Sequence, residues 1–165
     1  PNGELQYVCR LLPTPLDLIF RRFLPPKMAK KMNNKFLLKE YKRTAMMDIP
    51  FLLGSFMFFR LSSFEKVGLF DESIFMYAED IDLCYRIKQR GYKVVYYADV
   101  SMTHLKGQSG LHTKNKLVIY HFHKGIKIFY DKYYKDKHNF FVTFLMHSAI
   151  NLRYVVTLLR SKLRR

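Results

Sequence analysis

Glu79, Asp80 and Asp82 put three carboxylates within four positions, directly after the aromatic stretch Phe75-Met76-Tyr77 and at the head of Ile81-Asp82-Leu83-Cys84-Tyr85-Arg86. Carboxylates crowd for a small number of reasons. One beside a hydroxyl can act as a general base, taking the proton as the oxygen attacks. Several together can hold a hard divalent cation through oxygen. Acidic side chains in a first helical turn can also simply complement the macrodipole, at about 0.3–1 kcal/mol each. Spacing alone favours this last, structural account. Asp82 and Arg86, four apart on the same helix, read first as an ion pair and second as groups that contact a substrate.

Other residues are candidates of weaker kinds. Gly54-Ser55 interrupts the apolar run from Ile49 to Phe59. A missing side chain there lets a substrate approach the backbone, or the glycine marks a strand bulge. His104 shares a face with Val100 and Met102 in an alternating stretch, where a lone histidine is ordinarily a packed core residue. His121 and His123 fall on opposite faces of a helix and do not make a site. Gly107-Gln108-Ser109-Gly110 is a flexible loop that either closes over a ligand or merely connects.

The elements that must position these groups are partly legible. Glu79 to Gln89 is predicted helical and ends at Gly91, with Leu83 and Ile87 as an apolar i, i+4 pair. Asp71 to Tyr77 is a loop, and a short helix capped by Ser62 or Ser63 closes at Gly68. Ile49 to Phe59 is expected as a buried strand, and Lys93 to Tyr97 and Val100 to Leu105 as further strands. Residues 4–12 suit a short strand or an extended entry, and Leu16 to Leu24 a short helix stopped by Pro25-Pro26. The lysine-rich stretch from Lys27 to Arg43 reads as a mobile basic connection. Lys114 to Tyr134 is a basic amphipathic helix, and Phe140 to Leu159 a second, more hydrophobic one.

Composition sets the outer bounds. The chain has 165 residues, 49% hydrophobic and 16% aromatic, which excludes wholesale disorder and, without a glycine period, a fibrous repeat. Cys9 and Cys84, the two cysteines, make no disulfide framework and no metal pair, and a reducing compartment is expected. The opening Pro1-Asn2-Gly3-Glu4 is no secretory signal and has no initiator Met, so an amino terminus cut from a longer chain is expected. The net charge of +16 attracts polyanions. Its distribution is uneven: residues 61–105 carry 5 basic and 7 acidic groups, whereas residues 106–165 carry 13 and 2. A plain nucleic-acid module gains little from acidic groups at its centre, and an enzyme can use them. The last helix has the length of a membrane span, but His147, Asn151 and Arg153 lie inside it and Arg160 to Arg165 forms a basic end. It is expected to lie at a membrane interface, with packing on the domain or on a homodimer partner as the alternative.

The order of motifs carries a resemblance. Gly54-Ser55-Phe56-Met57 is followed by Phe64-Glu65-Lys66-Val67-Gly68-Leu69-Phe70-Asp71-Glu72, the acidic block, Gly91-Tyr92-Lys93-Val94-Val95-Tyr96 and His104. This resembles glycosyltransferase family 2, more narrowly the rhamnosyltransferase-type members that build bacterial surface polysaccharides. Pro1 to Gln6, with Cys9-Arg10 and Pro13-Thr14, resembles the stretch after the donor-binding half in those enzymes. The likeness covers residues 1 to about 110. It implies an α/β class: part of a GT-A, nucleotide-diphospho-sugar transferase fold at 1–113, the acceptor-side half, with a basic amphipathic helical extension at 114–165.

The resemblance further implies an inverting transfer of a sugar, rhamnose among the candidates, from a nucleotide-diphosphate donor to a glycan or lipid-linked acceptor in cell-surface polysaccharide synthesis. Asp80 maps to the catalytic base, with Glu79 beside it. Gly54 and Ser55, with Asp82 and Arg86, map to substrate contacts. His104 maps to a ligand of a divalent cation, Mg²⁺ or Mn²⁺. An Asp-x-Asp motif that grips donor and metal is expected before Gly54, and none stands there. The isolated chain is therefore expected to be inactive. Its expected place is cytoplasmic, peripheral at the inner face of an anionic membrane. The rival expectation is a non-catalytic basic module that binds anionic membrane or, less favoured, nucleic acid through residues 106–165.

Overall fold

The computed structural model describes residues 4–14, 17, 24–41, 43–105 and 116–163. The expected helix at Leu16–Leu24 and the loop at Gly107–Gly110 lie outside or almost wholly outside these residues. Four two-residue strands pair as two antiparallel ladders. β1 (Cys9–Arg10) pairs with β3 (Phe51–Leu52), Cys9 opposite Leu52, and β2 (Met47–Asp48) pairs with β4 (Val95–Tyr96), Met47 opposite Tyr96. Single hydrogen bonds extend each ladder, from Leu53 N to Val8 O (3.1 Å) and from Ile49 N to Val94 O (2.8 Å).

Between the ladders sits the core: Cys9, Leu38, Ile49, Phe51, Cys84 and Val94. Both cysteines are free thiols here, and burial pushes Cys84 up to about 11, so neither is a ready nucleophile. The expected buried strand from Ile49 to Phe59 is much shorter. Ile49 and Phe51 are buried, but the chain turns at Gly54-Ser55 and Phe58 is 88% exposed. An apolar run is a strand only where a neighbour supplies its backbone partners, and β1 supplies two residues' worth.

The lysine-rich connection is likewise corrected: Pro26–Phe36 is helix α1, with a proline at its start where a missing N–H costs nothing. Its end is anchored because Phe36 and Leu38 are buried and Leu11 N donates to Phe36 O at 2.9 Å. Helix α2 (Leu61–Val67) begins at Arg60 without a side-chain cap, and Gly68 closes it at φ 83°. Helix α3 (Glu79–Gln89) buries Leu83 and sets Cys84 against β3, and Gly91 ends it at φ 76°. Val100–Leu105 is exposed and not a strand.

Helix α4 (Lys116–Tyr133) and helix α5 (Phe140–Leu163) form a hairpin around a 3₁₀ turn at Lys135–Lys137. Asn139 caps α5, its Oδ1 accepting from Val142 N at 3.0 Å. The hairpin is held by Met146 and Ile150 of α5, by His147 Nε2 against Asp131 Oδ1 (2.6 Å), and by Tyr154 edge-on to Tyr120 and His123. Phe140, Phe141, Phe144 and Leu145 stay exposed on α5. Among the described helices, α5 is the one long and apolar enough to cross a membrane, by length and composition.

Candidate active site

Asp80 sits in the first turn of α3, 7% exposed. Its Oδ2 accepts from Gly54 N at 2.9 Å and its Oδ1 from Ile81 N at 2.8 Å. The turn after β3 therefore delivers a backbone amide to a carboxylate 26 residues away. A Cβ on Gly54 would stand 3.3 Å from Asp80 Cβ and 3.6 Å from Oδ2. The absent side chain thus makes room for Asp80 itself, and neither expected reason for this glycine, bulge or substrate approach, is needed to explain it. Gly54 and Ser55 are exposed, so the carboxylate lies just beneath an open rim.

Burial lifts the Asp80 carboxyl from 3.8 to about 6. The neighbouring charge of Glu79 pushes the same way, while the Gly54 and Ile81 amides and the positive charge of Arg10 pull it down. A carboxylate poised near 6 is ionised at neutral pH and still basic enough to take up a proton. Glu79 is half-buried beside it, its Oε2 accepting from Ala78 N at 2.9 Å.

Asp82 and Arg86 stand in a different setting. Asp82 is 0% exposed. Its Oδ2 accepts from Arg86 Nε at 2.8 Å, and its Oδ1 accepts from Lys132 Nζ (2.8 Å) and Tyr133 OH (2.6 Å) of α4. The Arg86 fork also donates to Val67 O, Gly68 O and Leu69 O at 2.6, 3.1 and 2.7 Å, closing the end of α2. Lys132 reaches on to Asp71 Oδ2 at 2.7 Å. Hydrogen bonds from Lys132 and Ser73 hold the Asp71 carboxyl down at about 2. Asp82 and Arg86 form the expected i, i+4 pair and have their polar atoms engaged within the fold.

His104 is exposed, not packed on a core face. Its Nδ1 meets Gln6 Oε1 at 2.8 Å, while Gln6 Nε2 donates to His104 O at 2.7 Å, a two-point clamp on the amino-terminal segment. Among the described residues no three His, Cys, Asp or Glu side chains come together, so these residues do not by themselves fit a metal centre. His121 and His123 are separated as expected: His121 lies against Phe75 (4.6 Å), and His123 is buried with Nδ1 bonded to Ile119 O at 2.7 Å.

Sequence reasoning missed three groups. Arg10 lies in the Cys9-Arg10 motif but had no role attached to it. Lys132 and Tyr133 lie 50 and 51 residues beyond Asp82 and carry no local signal at all.

A family model described as glycosyl transferase family group 2 matches residues 28–161. Rhamnosyltransferase WbbL of Escherichia coli (strain K12) is 46% identical over 48 residues, 29% of this chain and 18% of that protein. The N-acetylglucosaminyl-diphospho-decaprenol L-rhamnosyltransferase of Mycobacterium tuberculosis (strain CDC 1551 / Oshkosh) is 41% identical over 61 residues, 37% of this chain and 20% of that protein. The matched part of the chain thus spans about a fifth of the length of these relatives. No solved structure matches.

Proposed function

The chain belongs to glycosyl transferase family group 2, in a rhamnosyltransferase-type relationship, and from that premise we propose that it carries the base of an inverting sugar transfer in polysaccharide synthesis. The observation that carries the reading is Asp80: a buried carboxylate at a helix start, under an open rim, with its pKa raised to about 6. Asp80 takes the proton from an acceptor hydroxyl as its oxygen attacks the anomeric carbon of a nucleotide-diphosphate sugar, opposite the departing diphosphate. The Gly54 and Ile81 amides fix the carboxylate's orientation, and Glu79 keeps its proton affinity up. The rim at Gly54-Ser55 is where the reacting sugars meet the base.

The relatives are rhamnosyltransferases, and one is named for an N-acetylglucosaminyl-diphospho-decaprenol acceptor, so rhamnose and a lipid-linked glycan are the first substrates to try. The acceptor-side assignment of 1–113 rests on the likeness of Pro1 to Gln6, Cys9-Arg10 and Pro13-Thr14 to the stretch after the donor-binding half, and residues 1–53 hold no Asp-x-Asp. A divalent cation, which transferases of this family commonly use, would have His104 as its candidate ligand among the described residues. The exposed Phe140, Phe141, Phe144 and Leu145, with the basic end of α5, suit a cytoplasmic enzyme resting on the anionic inner face of a membrane.

The test is Asp80→Asn in the full-length transferase. Turnover falls by about 10²–10⁴-fold while donor affinity holds, because the amide cannot accept the proton. Near-normal turnover would show that another group is the base.

A further inference from the structure

The segment that presents Asp80 is gripped at three places by a helix about fifty residues further along the chain. At its start, Asp71 Oδ2 accepts from Lys132 Nζ at 2.7 Å. At its end, Asp82 Oδ1 accepts from the same ammonium and from Tyr133 OH. In its middle, α4 comes so near that a Cβ on Gly125 would stand 3.2 Å from Ala78 Cβ, 3.3 Å from Met76 O and 3.5 Å from Ile74 Cγ2. Between those grips Tyr77 is held at φ 75°, in the left-handed region that a non-glycine residue enters only at a cost. Such a conformation persists where the surroundings over-determine it, and here α4 is the surrounding element.

Asp80 and Asp82 lie two apart on one helical turn, so they face nearly opposite ways. Asp80 faces Gly54, and Asp82 faces α4. Pushing or releasing Asp82 must therefore tilt Asp80 against the Gly54 amide. We propose that Lys132, Tyr133 and Gly125 of α4 are positioning residues for the base, acting through Asp82 and the Ile74–Ala78 segment. The proposal rests on the assignment of Asp80 as that base. None of the three touches the reacting atoms. Their effect is on where the Asp80 carboxylate stands and, through the charge of Asp82, on how readily it holds a proton.

The experiment compares Tyr133→Phe, Lys132→Met, Lys132→Arg and Asp80→Asn in the full-length transferase. kcat and KM are measured per folded molecule across pH, and unfolding is followed in parallel. Tyr133→Phe removes one hydroxyl and leaves the tilted ring contact with Tyr85 (4.2 Å between centroids), so the fold is expected to hold. Tyr133→Phe and Lys132→Met are expected to lower kcat about ten- to a hundredfold with KM within about twofold, as for a misplaced catalytic group. Lys132→Met also moves the acid limb of the pH profile upward by about half a unit, because Asp82 loses a neutralising ammonium. The other groups around Asp80, the charges of Glu79 and Arg10 and the neutral Cys84 thiol, stay as they are. Lys132→Arg, which still reaches two carboxylates, recovers most of the rate and the original limb.

An Asp80→Asn variant that is dead, beside α4 variants with wild-type kcat and pH limb per folded molecule, overturns this inference alone. An Asp80→Asn variant that turns over normally overturns the base assignment and this inference with it. If Lys132→Met fails to fold, Tyr133→Phe decides.

Discussion

Asp80→Asn should change the pH dependence of stability in a direction opposite to the usual buried acid in an ion pair. The native carboxyl sits at about 6 and the unfolded one at 3.8, so the native state holds its proton to higher pH. The resulting stabilisation is fully present below about 3.8 and is lost as pH rises through about 6. The two-unit gap corresponds to about 3 kcal/mol, of which roughly half has returned on going from pH 8 down to pH 5. The asparagine removes this slope. It also has one oxygen to offer the two amides of Gly54 and Ile81, a loss of about 1–3 kcal/mol. The variant is therefore about as stable as the wild type at pH 8 and about 1–2 kcal/mol less stable relative to it at pH 5 than at pH 8. Urea unfolding of both proteins at the two pH values reads the double difference. Other groups drop out of it. Burial lowers His123, which works against stability in acid in both proteins alike, and Asp71, held at about 2, loses its contribution below 3.8. A wild-type-minus-variant difference that is the same at pH 5 and pH 8 would refute the claim that burial has raised Asp80.

Three further outcomes are expected. Gly54→Val crowds Asp80 Cβ from 3.3 Å and should cut turnover about 10²-fold, with Gly54→Ala in between, and a fully active valine variant would mean that the close approach is not needed. Arg86→Met leaves Asp82 short of a partner and three carbonyls without donors, so denaturant unfolding should show a loss of about 3–5 kcal/mol, and a loss under about 1 kcal/mol would contradict the network. The protein should co-sediment with anionic vesicles more than with neutral ones, weakened by salt, and deleting 140–165 should release it. Binding that survives the deletion, or that an oligonucleotide competes away completely, would favour the basic-module alternative.

Where consecutive residues carry the whole instruction, the sequence determined the outcome. Helix α3 runs from Glu79 to Gln89 as expected because its acidic first turn, its apolar i, i+4 pair and the glycine at 91 are all local. Gly68 ends α2 for the same reason, and the amphipathic runs after Lys116 become α4 and α5. The order of motifs through the acidic block was enough to point to a transferase family that matches residues 28–161.

Where an instruction needed a partner, tertiary structure decided. Lys27 to Arg43 looked like a mobile linker because its lysines dilute the apolar signal, yet burial of Phe36 and Leu38 settles it as a helix and its anchored end. Ile49 to Phe59 looked like one strand because hydrophobicity does not say how many backbone partners are at hand. His104 looked like a core residue by alternation, and a glutamine 98 positions away holds it at the surface instead. Gly54 was legible as a place needing no side chain, but the residue that fills the space is a carboxylate on another element. Burial, the largest influence on Asp80's proton affinity, is a property of the assembled surroundings, and no window of sequence around position 80 contains it.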